Sequence, residues 1–364
     1  MSRLNPEKLH VRFGRDLLTG GHPLKRFLRV VLIVLGVLLL LVVVGPFLVP
    51  VPPLKDVHPP EELADPDSRF VVVNGIRVHY KQEGQGAPVF LLLHGFGAST
   101  YSWHKVFAPL ARTGTVIAFD RPAFGLTERP LEWTGASPYS TASAVSLTVG
   151  LMDALGVERA ILVGHSAGGT VALATALRHP ERVQALVLED PAVFAGGEAR
   201  GGFGRFLLQT PQARRIGPLL VRLIQRWGDE GLRLAWHDPT LFTEEDRAGY
   251  RKPLQVENWD RALWEFTTAA APLRLDSQLA AVHVPTLVLT GDDDRIVPPE
   301  QSVRLAGEIP GARLVIVPAC GHIPHEEQPE AFLQAFASFL AGPLGTAGDP
   351  LGGSADSGRP ASRP

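Results

Sequence analysis

The longest uniform stretch in the hydrophobic pattern lies near the amino end. Val30 to Val49 is twenty residues without a charge, interrupted only by Gly36, Gly45 and Pro46, and Leu and Val cover every face. That length matches the hydrocarbon core of a bilayer, and the absence of a polar stripe argues against a helix lying on a protein surface. Beyond it the apolar residues come in short runs. Phe70–Val73 and Ile76–Gln82 read as two strands joined at Asn74-Gly75, a two-residue hairpin signal. Pro88–Leu93 and Thr115–Phe119 are continuous apolar runs and predict strands buried on both faces, Ala160–Val163 predicts a buried strand, and Val183–Leu188, Pro285–Thr290 and Arg313–Val317 predict three further strands. Helix-like stretches from Tyr139 to Leu155 and from Thr170 to Leu177 fall between them. Eight strands alternating with helices predict an α/β domain with a mostly parallel sheet covered on both faces. Functional groups then belong at the carboxyl ends of the strands.

The alternation lapses between Pro191 and His283. Four of the six tryptophans fall there, Trp227, Trp236, Trp259 and Trp264. Ile216, Leu219, Leu220, Leu223, Ile224 and Trp227 keep helical spacing, with Pro218 suited to a first turn. This predicts a helical cap, about residues 192–283, inserted after the sixth strand. Residues 50–68, rich in Pro and acids, read as a stiff spacer, and 342–364 as a disordered tail. The predicted order is a basic segment 1–29, an anchor 30–49, the spacer, a folded domain 69–341 and the tail.

Charge orients the anchor. Arg3, Lys8, Arg12, Arg15, Lys25, Arg26 and Arg29 precede it, whereas Asp56, Glu61, Glu62, Asp65 and Asp67 follow. The positive-inside rule predicts a single-pass membrane protein with a cytoplasmic amino end and its folded domain on the outer side, periplasmic or extracellular. A cleaved signal peptide is the competing reading. Its shorter apolar region would end at a small-x-small site, which the stretch from Phe47 to Pro53 does not offer. A net charge of −2 gives no reason to expect a nucleic-acid partner. The single cysteine, Cys320, excludes an intramolecular disulfide and a Cys-rich metal site.

The candidate chemistry centres on Gly164-His165-Ser166-Ala167-Gly168, which sits between a strand and a helix. A strand that reverses sharply into a helix crowds backbone against backbone, which glycine alone tolerates, and it projects the central hydroxyl outward. A serine hydroxyl needs a base, and the base needs an orienting acid. His322 stands just beyond the last strand after Gly321 and is the candidate base in preference to His325. The acid lies among Asp292, Asp293 and Asp294, beyond the preceding strand, and these residues do not by themselves choose between the three. The order Ser, Asp, His is the one this strand–turn–helix arrangement calls for.

With these motifs in place, residues 69–341 resemble the α/β-hydrolase superfamily, in its capped branch of esterases, meta-cleavage C–C hydrolases and epoxide hydrolases. The resemblance implies a Gly-x-x-Asp-x-x-Val-Pro stretch whose aspartate is the acid, which here selects Asp294, with Asp190 as the position some relatives use instead. It implies oxyanion donors at the backbone N–H groups of Phe96 and Ala167, and structural roles for His94 and Asp120. Relatives that open epoxides or remove halides carry aspartate where this chain has Ser166. Ala123 departs from the glycine common in the Asp120–Gly125 turn.

The resulting expectation is a serine hydrolase cleaving a small carboxylic ester with a hydrophobic part, without metal or organic cofactor. C–C bond hydrolysis or a cofactor-free perhydrolase reaction is the enzymatic alternative, and a tethered, non-catalytic binding module the alternative of another class. The sequence leaves open whether Phe203, Phe206, Trp227, Trp236 and Phe242 line the pocket or pack within the cap. Arg200, Arg205, Arg214, Arg215, Arg222 and Arg226, in a stretch without acids, read first as a solvated helix face, with contact to anionic headgroups as the alternative.

Overall fold

The computed structural model describes residues 23–194, 202–269 and 273–344. The expectations for Arg3, Lys8, Arg12, Arg15 and Arg200, and for the tail beyond residue 344, lie outside these residues. Two units are distinct, Met1–Val51 and Pro52–Pro364. In the first, helix α1 spans Pro23–Leu48, so the helix takes in the basic flank as well as the apolar run. Within it, Lys25–Leu48 has a mean hydropathy of 3.2.

The second unit is built on an eight-stranded sheet: β1 (Arg69–Val73), β2 (Ile76–Glu83), β3 (Val89–Leu93), β4 (Thr115–Phe119), β5 (Ala160–His165), β6 (Val183–Glu189), β7 (Thr286–Gly291) and β8 (Arg313–Val317). Their spatial order is β1-β2-β4-β3-β5-β6-β7-β8, and only the pairings of β2 are antiparallel. Helices α2 (His104–Ala111), α3 (Thr141–Ala154) and α4 (Ala167–Arg178) belong to the first half. An insert between β6 and β7 holds α5 (Gly202–Leu208), α6 (Pro211–Val221), α7 (Ile224–Arg233), α8 (Glu244–Arg251) and α9 (Trp259–Ala269). The second half adds α10 (Pro299–Glu308), α11 (Pro324–Glu327) and α12 (Pro329–Phe339).

The continuous apolar runs form central strands because both faces are covered. Leu91, Leu93 and Leu162 share one core with Val145 and Leu151 of α3 and Val171 of α4. Phe90, Leu92, Ile161 and Val163, the alternate residues, share another with Val106 of α2 and Phe332 and Phe336 of α12. Side chains alternate across a strand, so the two cores split each run by parity. The parallel register brings Leu93, Gly164 and Phe119 level, and likewise His165 with Glu189 and Gly291 with Val317. The ends of these strands therefore open onto one edge.

Two expectations change. The spacing of 216–227 is carried by two helices, not one, and Pro211 rather than Pro218 occupies a first turn. The Pro- and acid-rich stretch is docked, not free-standing. Arg222 donates from Nη1 to the Pro52 oxygen (2.8 Å), His58 N to the Gln255 oxygen (2.8 Å) and Glu257 N to the His58 oxygen (3.2 Å). Asp65 bonds Lys81 and Lys252 at 3.0 and 2.6 Å.

Candidate active site

Ser166 joins β5 to α4 with φ 51° and ψ −118°, a region that costs an L-residue on the order of 1–3 kcal/mol and persists only where the surroundings enforce it. The enforcement is visible in the glycines. A Cβ at Gly168 would stand 2.0 Å from the Leu93 oxygen, and one at Gly164 2.6 Å from Gly169 Cα. The serine amide donates to the Glu189 oxygen (2.8 Å), and the serine carbonyl accepts from Thr170 and Ala192. Ala167 is the first residue of α4, where helix N–H groups lack intrahelical partners and the dipole favours negative charge. Phe96, in the loop after β3, borders the same cavity as Ser166.

His322 follows β8 and is 5% exposed. Its Nδ1 lies 2.7 Å from Oδ2 of Asp294, whose Oδ1 accepts from the amides of Ile296 (2.7 Å) and Val297 (2.9 Å). Burial alone would raise the Asp294 pKa. The His322 hydrogen bond and charge, with the two amides, outweigh it and hold the carboxyl below its usual value. The three consecutive aspartates are thereby told apart. Asp292 accepts from the Cys320 amide (3.2 Å), Asp293 from His237 (2.8 Å), and Asp294 alone meets His322.

Asp190 is close by, with ligand atoms of Asp190, Asp294 and His322 all within 4.8 Å of one another. Thr290 donates to its Oδ1 at 2.5 Å, but it does not hydrogen-bond the imidazole. Burial and the neighbouring Asp294 and Glu189 raise its pKa well above the usual range. The two carboxyls are thus pushed in opposite directions, Asp190 toward its neutral form and Asp294 toward its charged one. His104, Asp246 and Glu326 form a second such cluster, with Glu326 pushed up to about 8 by burial.

Several positioning contacts were not foreseen. His165 donates from Nε2 to the His322 oxygen (2.8 Å), and the His322 amide donates to the Ala235 oxygen in the insert (2.6 Å). Glu327 accepts from the amides of Gly321 (2.7 Å), His237 (3.0 Å) and Asp238 (2.8 Å), fastening the histidine loop to the insert. A histidine beside the candidate nucleophile and a glutamate five residues past the candidate base were the only sequence signals. His325 is fully buried against Glu189 (2.9 Å), away from the cavity. His94 accepts from the Arg121 amide (3.1 Å), and Asp120 accepts from Thr100 N, Leu126 N and His79 Nδ1, so both tie loops together.

Ser166 and His322 open into a cavity of about 450 Å³, although no hydrogen bond joins the two side chains at rest. The insert supplies Leu223, Ile224, Trp227, Trp236, Trp259 and Leu263 to its wall, so three tryptophans line it. Trp236 also packs with Phe242, while Trp264 packs over Gly217 and does not reach the cavity. The side chain of Phe203 lies outside those described. Asp229 and Arg251 are the only carboxylate and guanidinium side chains among the described lining residues, and they pair through two contacts of 3.0 and 2.9 Å.

A serine on a strand–helix turn, at the strand ends of a mostly parallel sheet, points to a class. A family model described as alpha/beta hydrolase fold matches residues 88–329, and the chain belongs to that family. Among curated proteins it is 31% identical over 285 residues to an uncharacterized hydrolase, YugF, of Bacillus subtilis (77% of this chain, 99% of that one). It is 33% identical over 282 residues to the 2-hydroxymuconate semialdehyde hydrolase of Pseudomonas putida (75% and 94%). Among solved structures it is similar to the enol-lactonase of Burkholderia xenovorans LB400, with TM-score 0.61, 25% identity and coverage of 75% and 100%.

Proposed function

We propose that the protein is a serine hydrolase of carboxylic esters that carry a hydrophobic part. The observation behind this is the position of Ser166, held in a left-handed turn inside an apolar cavity beside a hydrogen-bonded His322–Asp294 pair. His322 takes the hydroxyl proton as Ser166 Oγ attacks the ester carbonyl. The N–H groups of Phe96 and Ala167 hold the oxyanion, and Asp294 stabilises the imidazolium. The imidazolium then returns the proton to the departing alcohol. Water activated by His322 releases the acid from the acyl-enzyme.

The neutral cavity bears on the substrate. With Arg251 committed to Asp229, a carboxylate entering the described wall meets no free cation, and burying an unpaired charge is costly. This favours an uncharged ester over the dienoate anions named for several relatives. C–C bond hydrolysis remains the second reading because relatives of 31% to 33% identity carry that activity in their names. The test is turnover of p-nitrophenyl esters of increasing acyl length by the full chain and by Ser166→Ala, beside a vinylogous diketone bearing a carboxylate. Ester turnover that peaks at one chain length and disappears in the variant supports the proposal. Turnover of the diketone alone replaces it with the C–C reading.

The same reading takes α1 as an uncleaved anchor with residues 1–29 in the cytoplasm and the hydrolase unit outside. It is supported by the 24 apolar-rich residues of Lys25–Leu48 and the charge asymmetry of their flanks.

A further inference from the structure

The docked spacer ends at the mouth of the cavity. Pro52 is held by Arg222, and the next residue, Leu223, both lines the cavity and is exposed. Leu54 and Val57 pack on the cluster of Phe124, Trp259 and Leu263, which are themselves cavity wall. Pro52 is four steps along the chain from Leu48, the end of α1, and such a length of chain reaches at most about 14 Å. A bilayer's headgroup layer is on the order of 5–8 Å thick on each side. A membrane holding α1 therefore lies close to whatever surrounds Arg222.

That surrounding surface is apolar. Leu220, Leu223, Trp227 and Leu234 are 63%, 36%, 64% and 57% exposed. Helical bonding runs through the junction of α6 and α7, from Leu223 N to the Leu220 oxygen and from Trp227 N to the Leu223 oxygen. The spacing of these residues keeps them on one face. An amphipathic helix ordinarily buries such a stripe, and a Trp and Leu stripe left outward suits the interfacial layer of a membrane. The expected role of the arginines is correspondingly reduced. Arg214 and Arg222 are paired with Glu265 (3.0 Å) and Asp260 (2.8 Å), and the side chains of Arg205 and Arg226 lie outside those described.

Resting on the reading of α1 as an anchor and of Ser166 as an esterolytic nucleophile, we infer that the Leu220–Leu234 stripe seats in the lipid bilayer that holds α1, so that the cavity draws a membrane-dissolved acyl ester through the Leu223–Trp227 mouth. The contact is apolar and does not depend on anionic lipid.

The test uses the full chain in phosphatidylcholine vesicles. Leu220→Cys and, on β1, Val72→Cys each receive a nitroxide, the buried Cys320 remaining unlabelled. The inference predicts that the label at 220 is more accessible to oxygen than to a water-soluble nickel complex, and the label at 72 the reverse. Equal aqueous exposure at both sites overturns it, as does spin–spin broadening at 220 that reports a second copy on the stripe. Leu220 and Leu234 do not line the cavity. The double variant L220E/L234E should lose about tenfold or more in turnover of a vesicle-borne long-chain ester while p-nitrophenyl butyrate changes less than about twofold. Unchanged vesicle turnover overturns the inference. Failure of the chain to float with vesicles, or loss of residues 1–29 from the mature protein, instead removes the anchor reading and the inference with it. Ester turnover by Ser166→Ala removes the nucleophile assignment, and the label depth then decides the bilayer contact independently.

Discussion

The Nε2–H of His165 donates to the main-chain oxygen of His322 across 2.8 Å, so the residue before the proposed nucleophile supports the residue proposed as its base. With the His322 amide bonded to the Ala235 oxygen, both main-chain polar groups of His322 are fixed while its ring faces Asp294. His165 acts through His322 and is a positioning residue. His165→Ala should lower kcat by about 10- to 100-fold, since small misplacements of reacting groups have effects of that order, with KM for short esters changed less than about threefold. His165→Gln, which can present an N–H in the same direction, should recover part of the loss. A change confined to KM would assign His165 to the pocket wall instead.

Asp294 and Asp190 present a direct comparison. Asp294→Asn removes the charge facing His322 and should reduce kcat by about 10³- to 10⁴-fold. Asp190→Asn puts a neutral amide of similar shape where burial favours a neutral acid, and should stay within about tenfold of wild type. Steady-state kinetics on one short ester decide between them. The reverse ranking would make Asp190 the acid.

Burial, aided by the charge of Arg121, lowers the pKa of His94 from 6.5 to about 3. The folded ring stays neutral while the unfolded ring takes a proton below pH 6.5, so its contribution is complete above 6.5 and is lost as pH falls toward 3. Glu189, raised to about 7, and Glu326 lean the other way, so the wild-type profile blends opposing slopes. The difference between proteins isolates the ring. Relative to wild type, His94→Gln should gain about 1 kcal/mol of stability for each pH unit below 6.5, read from denaturant unfolding at pH 6.5 and 5.5. A parallel pair of profiles would refute a neutral, buried His94.

Two backbone positions make opposite predictions. Gly168→Ala drives a methyl onto the Leu93 carbonyl and should destabilise the chain by about 3 kcal/mol or more. Ala123 holds φ 80°, where glycine is unstrained. Ala123→Gly should raise stability by roughly 0.5 kcal/mol, the relief of left-handed strain exceeding the added freedom of the unfolded chain. Thermal unfolding of both variants checks the signs.

The central strands were legible because two packed faces demand apolar runs there, the edge pair β1–β2 because Asn74-Gly75 marks its turn, and the predicted ends of Thr115–Phe119 and Arg313–Val317 coincide with β4 and β8. The placement of Ser166 and His322 at strand ends beside one cavity was legible because glycine and strand ends mark them. The choice among Asp292, Asp293 and Asp294 was not legible in the residues themselves, since one residue of turn geometry decides which carboxylate points at the imidazole. The docking of residues 52–58 was hidden for another reason. Backbone bonds to 255–257 and one to Arg222 carry much of it, and composition is blind to backbone partners. The clamp on His322 depends on Ala235, from an insert whose helices the spacing merged into one.

The central claim is that Ser166 is a nucleophile activated by His322. The most direct measurement treats the full chain with a fluorophosphonate and locates the adduct by intact mass and peptide mapping. The account predicts one adduct per chain, on the peptide containing Ser166, absent in Ser166→Ala and formed about 10³-fold or more slowly in His322→Ala. A folded wild-type chain that remains unlabelled, or labels on another residue, would contradict it.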